Sequence, residues 1–201
     1  MITILIGKSA SGKDAILRTF KHNFKFTPII STTSRPIREN EIDGIDYIFV
    51  STQTFKYMID IGCFIEYRSY NTLVNGEPDV WYYGVQTFKL EPDKNYIVIL
   101  DVEGAREFIK YFGKDNVRVV YIHADDDVRK SRAEKRGSFD ETEWVRRLND
   151  DAVKFSWDVC SDIVDLRIDN NGRLSLNDIT YEIYKFISGE KAKKGILKKY
   201  E

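Results

Sequence analysis

Residues 2–14 read ITILIGKSASGKD, a mostly β-branched apolar run followed directly by a loop of glycine, serine and lysine. The run Ile2–Ile6 predicts a buried strand, and the apolar spacing from Ala15 to Phe20 predicts a helix. Glycines let the backbone N–H groups between such a strand and helix face an anion, to which Lys13 adds a positive charge. The stretch therefore predicts a P-loop that binds nucleotide phosphates. Its expected phosphate-binding residues are Gly7, Ser9, Ala10, Ser11, Gly12, Lys13 and Asp14.

Two acidic residues are candidate ligands for the Mg²⁺ that accompanies such phosphates. Asp14 stands where a P-loop ordinarily has a serine or threonine whose hydroxyl binds the metal, and a carboxylate is also a hard oxygen ligand. Asp101 follows the predicted strand Tyr96–Leu100, at the carboxyl end where ligands of parallel sheets gather. The alternative for each is a helix cap, because aspartate is favoured at the start of a helix.

Strand and helix patterns alternate through much of the chain. Val117–Ile122 is a further apolar run, and the helical pattern that follows Asp101 ends at Gly113. Such alternation is typical of a parallel sheet covered by helices on both faces. We therefore expect an α/β fold with a three-layer parallel sheet of the P-loop NTPase type.

Two segments depart from this alternation. Residues 31–88 are rich in Tyr, Thr and Phe and contain the turn signals Asp43-Gly44 and Asn75-Gly76, which predict a strand-rich insertion with hairpins. Asp127–Asp150 carries seven Lys or Arg, which predicts a solvated, mobile excursion. A helix is expected to start within it, near Asp140. The predicted apolar face of that helix is Trp144, Leu148, Ala152 and Phe155.

The composition of the chain excludes several classes of protein. The 201 residues have a formal net charge of −1, so the molecule as a whole offers no electrostatic basis for binding nucleic acid or a membrane surface. No apolar run approaches the roughly 18 residues that a membrane-spanning helix needs. Cys63 and Cys160 lack metal-binding or disulfide spacing, which favours reduced thiols and a cytoplasmic protein. The expected partners are small nucleotides, and the sequence leaves the oligomeric state undetermined.

A resemblance to a known family begins in residues 31–49, which read STTSRPIRENEIDGIDYIF. This stretch resembles the guanylate kinase family, whose nucleoside-monophosphate lobe has a pattern close to S-x-T-T-R-x-P-R-x-x-E-x-D-G-x-D-Y-x-F. Further similarity lies in Phe64-Ile65-Glu66-Tyr67, in Tyr82-Tyr83-Gly84, and in residues 132–137 together with Arg147. The resemblance thus extends from the P-loop to Arg147.

The resemblance implies an enzyme that transfers a phosphoryl group from Mg-ATP to GMP or dGMP. It implies that Ser31 and Glu66 contact guanine, and a carboxylate can accept from both the ring N–H and the exocyclic amine of that base. The residues implied to hold the acceptor phosphate are Arg35, Arg38, Tyr47 and Tyr83. The arginines implied to close over the nucleotides are Arg132, Arg136 and Arg147, for which surface ion pairs are the alternative. The expected catalytic residues are Lys13, Arg38, Arg132, Arg136, Arg147 and Asp101.

The resemblance also implies a division of the chain into three parts. The core is expected to comprise residues 1–30, 89–125 and 149–201. Residues 31–88 are expected to form the lobe that binds the nucleoside monophosphate (NMP), and residues 126–148 a helical lid.

Three features depart from the family pattern near the expected base pocket. Val85 replaces a serine that contacts the base, Glu103 replaces a second base-reading aspartate, and residues 71–80 look like an inserted hairpin. The alternatives that stay open are a kinase for another (deoxy)nucleoside monophosphate or for a ribose bisphosphate, and a non-catalytic binding module. The P-loop and the lid arginines favour a kinase over a binding module.

Overall fold

The structure is a computed structural model, and it describes residues 1–39, 41–74, 77–135 and 139–189. Its chain divides into two compact units. The first combines Met1–Pro28 with the chain from Lys94 onward, and the second is Ile29–Asp93. The described residues of the segment expected to form a lid, 126–148, belong to the first unit.

Strands and helices alternate through the first unit, whereas the second consists mainly of strands. The strands are β1 (Ile2–Ile6), β2 (Thr27–Pro28), β3 (Thr32–Thr33), β4 (Ile48–Phe49), β5 (Phe64–Val74), β6 (Glu77–Gln86), β7 (Tyr96–Ile99), β8 (Val117–His123) and β9 (Leu166–Asp169). The α-helices are α1 (Lys13–Asn23), α2 (Thr52–Asp60), α3 (Val102–Phe112), α4 (Asp126–Glu134), α5 (Glu141–Lys154), α6 (Trp157–Cys160) and α7 (Leu176–Ser188). Within the described ranges, none of these helices is long and apolar enough to cross a bilayer.

The first unit is built on a parallel sheet with the strand order β2-β7-β1-β8-β9. Every residue of the central strand β1 is buried. On one face Leu5 and Val120 pack with Phe20 of α1 and Ile183 of α7. Ile4 alternates to the opposite face and is also wholly buried, so the sheet is covered on both sides. The predicted α/β fold with a parallel central sheet is confirmed.

Several predicted element boundaries are confirmed at single residues. Helix α3 ends as predicted at Gly113, whose N–H donates to the Ile109 carbonyl at 2.9 Å. Asp140 caps α5, because its Oδ1 accepts from the Glu143 N–H at 2.7 Å. Helix α1 begins at Lys13, earlier than predicted, so the lysine of the P-loop is itself a residue of the first helical turn.

The apolar face predicted for α5 is wrong at one position. Trp144 is buried as predicted, but Ala152 is exposed and Asp151 is buried beside it. The predicted solvated excursion Asp127–Asp150 is wrong at Arg129, whose side chain is wholly buried. Both differences have one cause, since Arg129 and Asp151 form a buried ion pair.

The second unit contains a four-stranded sheet with the order β4-β3-β6-β5. Strands β5 and β6 form a long antiparallel hairpin that pairs from Phe64↔Gln86 to Val74↔Glu77. The predicted turn at Asn75-Gly76 lies outside the described residues. At the apparent insertion, residues 71–74 and 77–80 pair with one another and so lengthen β5 and β6.

Candidate functional site

The P-loop depends on glycine at both ends. Gly7 and Gly12 have φ values of 142° and 101°, a region that side-chain-bearing residues rarely adopt. A Cβ on Gly7 would lie 2.3 Å from the Ile122 carbonyl oxygen, and one on Gly12 would lie 2.4 Å from Asn170 Nδ2. Between them Ala10 has φ 58°, a left-handed conformation that is strained for alanine. The backbone therefore turns tightly around the space between β1 and α1.

The lysine of the loop folds back over it. Lys13 Nζ donates to the carbonyl oxygens of Gly7 at 2.6 Å and Lys8 at 3.0 Å. Ser11 is wholly buried, and its Oγ has no hydrogen-bond partner in the described part of the chain. The Lys13 ammonium group lies above the glycine-containing loop at the start of α1, and this arrangement is suited to binding an anionic phosphate group.

The two candidate metal ligands lie at the starts of helices. Asp14 is exposed in the first turn of α1. Asp101 caps α3, because its Oδ1 accepts from the Gly104 N–H at 2.7 Å. Among the residues that the structure describes, no three His, Cys, Asp or Glu side chains cluster as metal ligands. These residues fit a Mg²⁺ that takes its other ligands from nucleotide phosphates and water, as is usual for this ion.

One of the predicted lid arginines contacts the P-loop. Arg132 donates through Nη2 to the Asn170 carbonyl at 2.8 Å and through Nη1 to the Ser11 carbonyl at 3.3 Å. Asn170, nine-tenths buried, donates from Nδ2 to the same Ser11 carbonyl at 2.8 Å. Sequence reasoning missed Asn170, because this residue contacts the loop from just beyond the end of β9, far along the chain.

A second pair of residues missed by sequence reasoning contacts the loop at Ser9. Arg129 Nε donates to the Ser9 carbonyl at 2.7 Å, and the Ser9 N–H donates to Asp151 Oδ2 at 2.7 Å. Both side chains are buried. Ser9, predicted to bind phosphate, therefore already has its amide and carbonyl engaged by the protein.

Of the other two predicted lid arginines, Arg147 is bound by a carboxylate on its own helix. Arg147 Nε donates to Glu143 Oε1 at 2.7 Å, and Arg146 donates to the same carboxylate. The hydrogen bonds from Arg146, together with those from Arg147, lower the pKa of Glu143 to about 2. Arg147 is thus part of a surface ion-pair cluster in this structure. Arg136 lies outside the described residues.

In the second unit, Arg35 is buried and held by a carboxylate. Its Nη1 and Nη2 donate to the two oxygens of Glu41 at 3.0 and 2.8 Å. Burial alone would raise the pKa of Glu41, but the hydrogen bonds from Arg35 and from the Arg38 N–H lower it overall. The Arg38 side chain is exposed. Glu41 thus orients the Arg35 guanidinium, which is expected to bind the acceptor phosphate. Sequence analysis did not reveal this role of Glu41.

Aromatic rings surround that guanidinium. The Arg35 side chain lies over the rings of Tyr47 and Phe49, at 5.4 and 5.6 Å from their centroids. Tyr83 packs edge-on against Tyr47 at 5.9 Å and against Tyr70 at 5.6 Å. Two phenols predicted to bind the acceptor phosphate therefore lie beside one another and close to Arg35, as joint binding of one ligand requires.

The candidate base-reading residues lie on neighbouring strands of the same sheet. Glu66 on β5 is 7% exposed, and Arg68 Nη1 approaches its Oε2 at 3.9 Å. Val85 is paired with Glu66 in the strand register and is 1% exposed. Ser31 directly precedes β3, where its carbonyl accepts from the Ile48 N–H at 2.9 Å. Glu103 belongs to the first unit instead, exposed on α3.

A family model, two relatives and a solved structure to which this chain is similar all have the same description. A family model described as guanylate kinase matches residues 1–190. A guanylate kinase of Enterococcus faecalis is 33% identical over 142 residues, which cover 69% of this chain and 66% of the relative. One of Chlorobium chlorochromatii is 28% identical over 163 residues, covering 79% of this chain and 80% of the relative. The crystal structure of guanylate kinase from Anaplasma phagocytophilum has the same fold, with a TM-score of 0.62 and 19% identity, and covers 96% of this chain and 87% of that one.

Proposed function

The chain belongs to the guanylate kinase family, and on that premise we propose that it transfers the γ-phosphoryl group of ATP to GMP or dGMP. The products are ADP and GDP or dGDP. The observation that carries the proposal is the P-loop, in which Gly7 and Gly12 adopt the required backbone and Lys13 lies over the loop. A binding module would not need this donor site, so its presence favours catalysis.

The first unit supplies the donor side of the reaction. The loop from Gly7 to Lys13 binds the β- and γ-phosphates, with the Lys13 ammonium stabilising charge on the γ-phosphate. Asp14 and Asp101 would hold Mg²⁺, directly or through water, and that ion neutralises phosphate charge. Asp101 also caps α3 through its Oδ1, which accepts from the Gly104 N–H.

The second unit supplies the acceptor side. Arg35 and Arg38 bind the acceptor phosphate, and the phenols of Tyr47 and Tyr83 donate to its remaining oxygens. A phosphate oxygen of the acceptor attacks the γ-phosphorus in line, and the bond to the β-phosphate oxygen breaks as ADP leaves. No covalent enzyme intermediate is needed, because phosphoryl transfer depends on positioning and charge stabilisation.

The base is read by Glu66 and Ser31. The buried Glu66 carboxylate accepts from the ring N–H and the exocyclic amine of guanine, a pair of donors that adenine does not present. Val85, in the strand register of Glu66, offers no hydroxyl for a further contact. This observation favours a second candidate, a kinase of the same family that accepts another nucleoside monophosphate. The presence of Glu66 and Tyr83 counts against a ribose bisphosphate as the acceptor.

Residues 126–148 are proposed to act as a lid whose arginines stabilise the transferred group and exclude water. Arg132 contacts the P-loop at Ser11, which suits this role. Arg136 and Arg147 are proposed to join it when nucleotides are bound, Arg147 by exchanging Glu143 for a phosphate. Membership of the family supports nucleotides as the partners, and the expected cytoplasmic location stays a prediction.

An ADP-release assay tests the function. The protein is given Mg-ATP with ribo- and deoxynucleoside monophosphates and with ribose bisphosphate. We expect turnover with GMP and dGMP, and loss of turnover in Lys13→Ala. Turnover confined to another acceptor would support the second candidate, and wild-type activity in Lys13→Ala would contradict the proposed mechanism.

A further inference from the structure

A buried ion pair outside the expected phosphate-binding residues holds the P-loop at Ser9. Arg129 on α4 is wholly buried and Asp151 on α5 is 6% exposed. Arg129 Nη2 donates to Asp151 Oδ2. The pair contacts three polar groups of Ser9: the carbonyl accepts from Arg129 Nε at 2.7 Å, the N–H donates to Asp151 Oδ2 at 2.7 Å, and Oγ donates to Asp151 Oδ1 at 3.3 Å.

Arg129 is placed to act on the loop and not on a ligand. Each of its three nitrogen atoms already donates a hydrogen bond, to Ser9, Asp126 and Asp151. The ring of Trp144 lies 5.4 Å from its guanidinium carbon. A wholly buried guanidinium with these partners has no exposed donor for a nucleotide phosphate. Its effect on nucleotide binding must therefore pass through Ser9.

We infer that Arg129 and Asp151 are positioning residues that fix the P-loop backbone in its phosphate-binding shape before the nucleotide arrives. The inference rests on the proposed role of the loop in ATP binding. The carboxylate cancels the guanidinium charge, so the pair immobilises Ser9 without adding net charge beside the donor phosphates. A loop that is already ordered loses less conformational freedom on binding, and affinity rises accordingly.

The same contacts permit a competing interpretation, in which the Asp151 carboxylate occupies an N–H that a phosphate would use. Release of Ser9 would then be needed for ATP to bind. The burial of the pair disfavours this interpretation, because a carboxylate that moved away would leave the Arg129 charge buried and uncompensated. The two interpretations predict opposite changes in ATP affinity when the carboxylate is removed.

Two double variants distinguish a role of Arg129 and Asp151 in positioning the P-loop from a role in packing alone. R129M/D151L removes both charges and every acceptor for the Ser9 N–H. R129M/D151N also removes both charges but keeps an amide oxygen that can accept from Ser9 N–H. Replacing both members of a buried pair avoids an unpaired charge and generally preserves stability. The matched control is E182Q/K185M, which removes the charges of another buried ion pair of the first unit, on α7.

The readouts are the Kd for ATP by titration calorimetry and the Tm without nucleotide. We expect R129M/D151L to raise the Kd about tenfold, which corresponds to about 1.4 kcal/mol, with little change in Tm. We expect R129M/D151N to recover most of the affinity and E182Q/K185M to leave it unchanged. An unchanged Kd in R129M/D151L would show that the pair only packs, and a lower Kd would establish the competing interpretation.

A measurement on the unaltered protein keeps the inference testable if a double variant does not fold. The Ser9 amide should be protected from hydrogen exchange without nucleotide, because Asp151 accepts its hydrogen bond. Rapid exchange at Ser9 would overturn the inference. Calorimetry and exchange need no turnover, so a protein that binds ATP without phosphorylating GMP would contradict the proposed function and leave this inference standing.

Discussion

Val85 on β6 is paired with Glu66 on β5 in the β5–β6 hairpin. An apolar side chain that is 1% exposed therefore lies next to the carboxylate proposed to bind the base. The hydroxyl that the family pattern has at this position is absent. Restoring a hydroxyl here tests whether Val85 relaxes selectivity for the base.

Val85→Ser is therefore expected to increase the preference for GMP over AMP by about tenfold, because the serine adds one contact that only the correct base satisfies. The measurement is the ratio of kcat/KM for the two substrates. Val85→Ala is the control, since it removes the same apolar bulk without adding a hydroxyl. An equal gain in the alanine variant would assign the effect to space and not to hydrogen bonding.

Ala10→Gly is expected to stabilise the free protein by about 1 kcal/mol, because alanine is strained at φ 58° and glycine is not. Urea unfolding without nucleotide measures the change. Ala15→Gly is the matched control: Ala15 is exposed within α1, where glycine should instead cost about 1 kcal/mol. Destabilisation by both substitutions would show that the loop is not strained at Ala10.

Glu41→Gln is expected to destabilise the protein by about 3 kcal/mol, because it leaves the buried Arg35 charge without its counter-ion. The KM for GMP should rise at the same time, since Arg35 loses the group that orients it. Chemical unfolding and steady-state kinetics measure the two effects. Glu39→Gln, at an exposed position of the same segment, should change neither. Unaltered stability in Glu41→Gln would contradict the structural role assigned to this pair.

Glu143 should titrate far below an ordinary glutamate. The hydrogen bonds from Arg146 and Arg147 lower its pKa to about 2 in the folded protein, against about 4.3 in an unfolded chain. Its stabilising contribution is therefore complete above pH 5 and is lost as the pH falls toward 2. The contribution is small because the cluster is exposed.

Titration by NMR checks the value for Glu143. Arg146→Met should raise the pKa of this carboxyl more than Arg147→Met does, since the Arg146 bonds have the larger effect. The reverse order would indicate that Arg147 is the main partner and is less available for the proposed lid role.

Local signals predicted the strand before the P-loop and the helix after it. The strand, the glycines and the helix start of residues 2–14 are neighbours in sequence. The local residue pattern is therefore enough to predict how the backbone runs from the strand through the loop into the helix. The Asp140 cap and the helix end at Gly113 were predicted for the same reason. A hairpin in this part of the chain was predicted, and residues 71–74 and 77–80 continue its two strands.

Contacts between distant residues could not be predicted in this way. Seven Lys or Arg between Asp127 and Asp150 look alike in a charge pattern, and nothing local shows that Arg129 is wholly buried. The buried face of α5 was predicted wrongly near its end, because a hydrophobic pattern treats every aspartate as polar and exposed, whereas Asp151 is buried. Asn170 was missed because it supports another residue and has no motif of its own. Glu41 matches the glutamate of the family pattern, but its role was missed because it acts only by holding Arg35.

The support of the P-loop by residues far along the chain has a consequence for biosynthesis. Ser9 is bonded by Asp151, 142 residues later, and Ser11 by Asn170, 159 residues later. A nascent chain still short of Asn170 contains the whole loop sequence but not the contacts that hold it. Contacts of such long sequence separation form late in folding. The ability to bind a nucleotide should therefore appear only once the chain has been made past Asn170, by which point all strands of the first sheet have been synthesised.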